Sequence, residues 1–65
     1  MQGQLSDAEV RVVALVAEGL SNREIGQRLA TREAAISHQV SQIIHKLGLR
    51  NRIQLAVWAV KQGLY

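Results

Sequence analysis

Ser37, His38, Ser41 and Gln42 stand three and four residues apart, the spacing that places side chains on one face of an α-helix, and each offers both a hydrogen-bond donor and an acceptor. Ala34 and His45 extend the same face, and no acidic residue interrupts it. Groups of this kind can address the donor and acceptor pattern on base edges, or phosphate oxygens, without repelling a polyanion. The plainer alternative is an ordinary solvated helix face.

Cations flank this stretch. Arg32 precedes it, and Lys46, Arg50 and Arg52 follow it; each can bind a phosphate beside a groove or serve as a simple surface charge. Residues 1–33 carry Arg11, Arg23, Arg28 and Arg32 against Asp7, Glu9, Glu18, Glu24 and Glu33, a net charge of −1. Residues 34–65 carry Lys46, Arg50, Arg52 and Lys61 and no acid, a net charge of +4. An anionic partner is therefore expected at the second half. His38 and His45 share a face, as metal ligands can, but neither Cys nor a carboxylate lies between Ala34 and Tyr65 to complete a coordination sphere. No metal or other cofactor is expected. Nor does any pattern link a nucleophile, a base and an orienting group, and there is no glycine-rich phosphate loop, so the residues argue against an enzyme.

The elements that hold this face must be small. The chain has 65 residues, room for one domain with little space for a catalytic pocket and its supporting shell. Apolar residues make up 48%, and with only Trp58 and Tyr65 as aromatics the core must be built from Leu, Ile, Val and Ala, a composition suited to close-packed helices. There is no Cys for disulfides or thiolate metal sites, and no Pro to break helices. No basic-then-apolar leader is evident, and the longest apolar run, Leu55 to Val60, is far short of the roughly 20 residues needed to span a bilayer. A soluble, cytoplasmic protein with no membrane partner is expected.

Helix starts are marked by a polar cap with Glu or Gln three residues later, a pair that satisfies orphaned N–H groups reciprocally. Ser6–Glu9, Ser21–Glu24 and Asn51–Gln54 fit, and Gly19, Gly48 and Gly63 stand where helices would end. The predicted helices run over 7–18, 22–29, 33–47 and 52–62. Residues 1–4 are expected to be a flexible lead-in to a domain over 5–65.

Periodicity assigns core stripes of Val10, Val13, Ala14 and Ala17 to the first helix, Ile25 and Leu29 to the second, and Ile36, Val40, Ile43 and Leu47 to the third. Only Ala30, Thr31 and Arg32 join the second helix to the third, a length suited to a helix-turn-helix corner, and Gly26 would let the third helix approach closely. The fourth helix is apolar on every side over Leu55–Val60, so two surfaces should cover it. Ile53, Ala56, Val57 and Val60 are assigned to the domain core, and Leu55, Trp58, Ala59 and Gln62 to a symmetric dimer contact. The alternative is that Trp58 folds back over the core edge and the rest stays exposed.

Leu5-Ser6 with Glu9, the block Gly19-Leu20-Ser21-Asn22-Arg23-Glu24-Ile25 and the block Lys46-Leu47-Gly48-Leu49-Arg50-Asn51-Arg52 together resemble the signature of the LuxR/GerE-type DNA-binding domain, over about residues 5–62. The resemblance implies an all-α, four-helix fold with helix-turn-helix architecture, the third helix reading the major groove and the fourth pairing in a dimer. It implies base reading by Ser37, His38 and Ser41 and phosphate contact around Arg32, Ala35, Gln42 and Lys46, joined by Arg50 from the flanking cations. Family members commonly carry Thr-Val-Lys-x-His where this chain has Ala35-Ile36-Ser37-His38-Gln39, so a phosphate-binding hydroxyl and a groove-facing lysine are missing. The Ser that usually caps this helix is replaced by Arg32, with Thr31 one residue earlier as the substitute. Such domains usually follow a receiver or sensor domain, though some stand alone.

The resulting expectation is a sequence-specific transcription regulator of the response-regulator type, binding a two-part operator in double-stranded DNA as a homodimer, with RNA polymerase as a further partner. The competing expectation is a degenerate helix-turn-helix that acts as a protein-interaction module through its fourth helix.

Overall fold

The computed structural model describes residues 5–64; the expected lead-in and Tyr65 lie outside them. Four helices follow one another: α1 (Asp7–Ala17), α2 (Asn22–Arg28), α3 (Glu33–Lys46) and α4 (Arg52–Lys61). The all-α fold expected from the sequence is present, with each helix ending one residue earlier than predicted. α1 packs chiefly on α4 and α2 chiefly on α3, while α1 also touches α2 and α3 and so joins the two pairs.

Two complete capping boxes start α1 and α2. Ser6 Oγ accepts from the Glu9 N–H at 3.1 Å while Glu9 Oε1 accepts from the Ser6 N–H at 2.8 Å, and Ser21 with Glu24 repeats the arrangement at 3.1 and 2.8 Å. The third expected box is only half formed. Asn51 Oδ1 accepts from the Gln54 N–H, but the Gln54 side chain reaches past Asn51 to accept from the Arg50 N–H at 2.8 Å. All four helices end in the same double closure, in which two N–H groups beyond the cap bond back to the last turn. The left-handed residue in that closure is Gly in three of them and Ala30 after α2, with φ of 58°.

The core consists of Val12, Val13, Leu15, Val16, Ile25, Ile36, Val40, Ile43, Leu55 and Ala59. The stripes expected on α2 and α3 hold in their buried members, with Leu29 and Leu47 half-buried at the edges. On α1 the stripe is misplaced. The buried residues centre about 130° around the helix from the expected set, and only Val13 is common to both. α1 touches three other helices, so it buries an arc of about 160° rather than a narrow stripe.

α4 is turned by about 130° from the expectation. Leu55 and Ala59, assigned to a dimer contact, are fully buried in the core, and Trp58 is half-buried against it. Ile53, Val57 and Val60, assigned to the core, are 75%, 49% and 56% exposed. Six consecutive apolar residues give no amphipathic bias, so their identity could not select a side. Arg52 fastens the observed rotation: on the core side of the helix, its guanidinium donates at 2.6 Å both to Asn22 Oδ1 and to the Leu20 carbonyl, tying the start of α4 to the start of α2.

The α2–α3 corner depends on Gly26. A β-carbon there would stand 2.8 Å from the Thr31 carbonyl oxygen and 3.3 Å from backbone atoms of Arg32 and Glu33. Gly26→Ala is expected to destabilise the domain by about 1–3 kcal/mol despite alanine's better helix propensity, because the atoms it strikes are backbone. Ala30→Gly is expected to stabilise it by about 0.5–1 kcal/mol, relieving a left-handed cost of about 1–2 kcal/mol against a smaller gain in unfolded-state entropy. Urea unfolding measures both.

Candidate nucleic-acid interface

α3 owes its orientation to Ile36, Val40 and Ile43, all buried, and to the Gly26 corner at its start. With that face fixed inward, the helical rotation turns Ala34, Ser37, His38, Ser41, Gln42 and His45 outward, and all six are exposed. Ser37, His38 and Ser41, expected to read bases, thus lie together on the free side of one rigid helix. Arg32, Ala35, Gln42, Lys46 and Arg50, expected at phosphates, are also exposed and lie around and beyond that face. An α-helix of about 10–12 Å diameter matches a B-DNA major groove of about 12 Å.

One correction concerns the start of α3. Arg32 occupies the cap position and no side chain caps the helix, so Thr31 does not replace the missing Ser. The first-turn N–H groups are left to solvent.

The cations differ in state. Lys46 Nζ donates to both carboxylate oxygens of Glu9, at 3.1 and 3.2 Å, across 37 residues of sequence. Glu9 therefore has two roles: it closes the α1 capping box and holds the lysine at the C-terminal end of α3. Arg52 is half-buried and committed to α2, which makes it a structural tie rather than the surface phosphate ligand its flanking position suggested. Arg50 is exposed and contributes its backbone N–H to Gln54.

Two open grooves run along α3. One is lined by Glu9, His38, Ser41, Gln42, His45 and Lys46. The other includes Ala8 and Arg11 of α1 with Thr31, Ala35, Gln39 and Gln42. The charged α1 residues of this surface, Glu9 and Arg11, were not assigned to the interface by sequence reasoning. Glu9 was visible only as a capping residue, and nothing in the local pattern signals a partner so distant along the chain. Ile53, Val57 and Trp58 line an apolar groove on α4 with Leu49, Gln54 and Lys61. Among the described residues no helix is long and apolar enough to cross a membrane.

Comparison with known proteins agrees with this geometry. A family model described as bacterial regulatory proteins, luxR family, matches residues 3–59. The transcriptional regulatory protein LnrK of Bacillus subtilis is 38% identical over 60 residues, which are 92% of this chain and 27% of that protein. The DNA-binding transcriptional activator DevR/DosR of Mycobacterium tuberculosis is 37% identical over 57 residues, 88% of this chain and 26% of the relative. The nitrate/nitrite response regulator NarL of Escherichia coli K12 is 31% identical over 62 residues, 95% of this chain and 29% of the relative. The chain thus spans less than a third of the length of these curated relatives.

The carboxylates of the two boxes make the frame acid-sensitive. Glu9 is held below the ordinary carboxylate range chiefly by accepting the Ser6 backbone N–H, with Lys46 adding to the effect against the opposing influence of burial. Glu24 is lowered chiefly by the Ser21 backbone N–H. A carboxylate with a lower pKa in the folded chain adds stability above its unfolded value, and that contribution is lost as pH falls through the folded value. Urea midpoints are therefore expected to fall as pH drops below about 5. Glu9→Gln should make that decline shallower; an unchanged pH profile in the variant would contradict the assignment.

Proposed function

The chain belongs to the luxR family of bacterial regulatory proteins, and from that premise we propose that it is a sequence-specific DNA-binding domain of a transcription regulator. The observation that carries this reading is the exposed, acid-free hydrogen-bonding face of α3, held on a rigid corner and flanked by Arg32, Lys46 and Arg50. α3 enters the major groove, Ser37, His38 and Ser41 address base edges, and Arg32, Gln42, Lys46 and Arg50 meet phosphates. Ala35 approaches the backbone closely with only a methyl group to offer.

The dimer contact is reassigned to the side of α4 that the fold leaves open. Ile53, Val57 and Val60 are exposed together, and a second copy covering them would bring two reading helices to a two-part operator. The same surface is what favours the interaction-module reading, because an exposed apolar face is suited to another protein whether or not α3 holds DNA. As a regulator the protein acts in the cytoplasm, with RNA polymerase as the machinery it influences.

Fluorescence-anisotropy titration against a randomised duplex pool, with selection and sequencing of what binds, tests both readings. Enrichment of a pseudo-palindromic motif is expected, and His38→Ala should cost about 1–3 kcal/mol on the selected site and relax preference at one position in each half. A single, unrepeated half-site would remove the dimer from the proposal. Uniform weak binding to every duplex would leave the interaction module as the better account.

A further inference from the structure

Along the α1-facing edge of α3 two cations sit in opposite states. Lys46, at the C-terminal end, is paired with Glu9 through both carboxylate oxygens. Arg11, on α1, is exposed and has no ion pair among the described residues. It lines a groove to which α3 contributes Ala35, Ile36, His38, Gln39 and Gln42 and the corner contributes Thr31. Of these, Ala35 and Ile36 have no polar atom in their side chains and none carries a fixed charge. A polyanionic strand passing this edge would meet a neutral helix flank and, in the same groove, one unpaired guanidinium.

We propose that Arg11 binds a backbone phosphate of the DNA, supplying from α1 the charged contact that α3 lacks along this edge. The inference rests on α3 being the groove helix. A guanidinium suits the role because its planar fork can donate two parallel hydrogen bonds to phosphate oxygens, and its charge persists at every relevant pH. Lys46 is the weaker candidate for the same strand, since its ammonium must leave Glu9 before it can neutralise a phosphate. The contact also accounts for a chain whose second half is basic using a residue from its acidic first half: α1 is folded against α3, so Arg11 joins the positive surface.

The test is the salt dependence of binding by the whole chain to a mixed-sequence duplex of about two helical turns, for the unchanged protein, Arg11→Gln, Arg11→Lys and Lys61→Gln. Arg11→Gln is expected to lower the slope of log affinity against log salt by about 0.9, so that the affinity lost between about 50 and about 200 mM salt shrinks by about 3.5-fold. Arg11→Lys should keep the slope, and Lys61→Gln, in the α4 groove that no α3 residue lines, should leave it unchanged. Arg11 is exposed, so the thermal midpoint of each variant is expected to match the unchanged protein and to exclude a folding defect. An unaltered slope in Arg11→Gln, or an equal drop in Lys61→Gln, would overturn the Arg11 contact while the proposed function stands. Absent or salt-independent binding by the unchanged protein would overturn both.

Discussion

Gly26 lies beneath the turn that joins α2 to α3, so close to the Thr31 carbonyl oxygen that no side chain fits between them. This approach of backbone to backbone fixes how α3 leaves α2, and the rest of the interface follows from it. Once the start of α3 is set, Ile36, Val40 and Ile43 turn into the core, and the opposite side of the helix has no alternative but solvent or a ligand. A wider corner would separate the two helices and leave Ile25 and Ile36, both completely buried, with water between them. The turn also tolerates a left-handed Ala30, a local strain that the surrounding packing holds in place.

The polar residues of the two family blocks turn out to serve mainly the frame. Ser21 and Glu24 cap α2, Asn22 receives Arg52, and Arg52 also closes on the Leu20 carbonyl, so that the two blocks are bonded to each other. Glu9 joins the N-terminal cap to Lys46 at the end of α3. Family membership is thus written largely in residues that position α3. The face proposed to meet DNA lies between the blocks, and this chain departs from the usual family pattern at its start, at Ala35, Ser37 and Gln39.

Two helices resisted sequence reading, each for a physical reason. α1 packs against three others and buries a broad arc, so a search for one narrow stripe chose Val10, Ala14 and Ala17 over Val12, Leu15 and Val16. α4 is apolar all around over residues 55–60, and the side it buries is set by long-range partners: the core that receives Leu55 and Ala59, and the α2 groups that receive Arg52. Reading Arg52 as a surface charge and Leu55 and Ala59 as a dimer face were two forms of the same error, because all three lie on the inward side.

The sequence by itself determined what is local: the four helices, their caps and ends, the short corner with its glycine, and the composition of the face on α3. These depend on residues within one or two turns of each other, where spacing dictates geometry. Only the tertiary structure decided what depends on helices meeting: that Leu55 and Ala59 are core, that Ile53, Val57 and Val60 are the open surface, that Lys46 is held by Glu9, and that Arg11 stands beside α3. Such pairings join residues separated by tens of positions along the chain, and helical periodicity, which repeats every few residues, has no information about them.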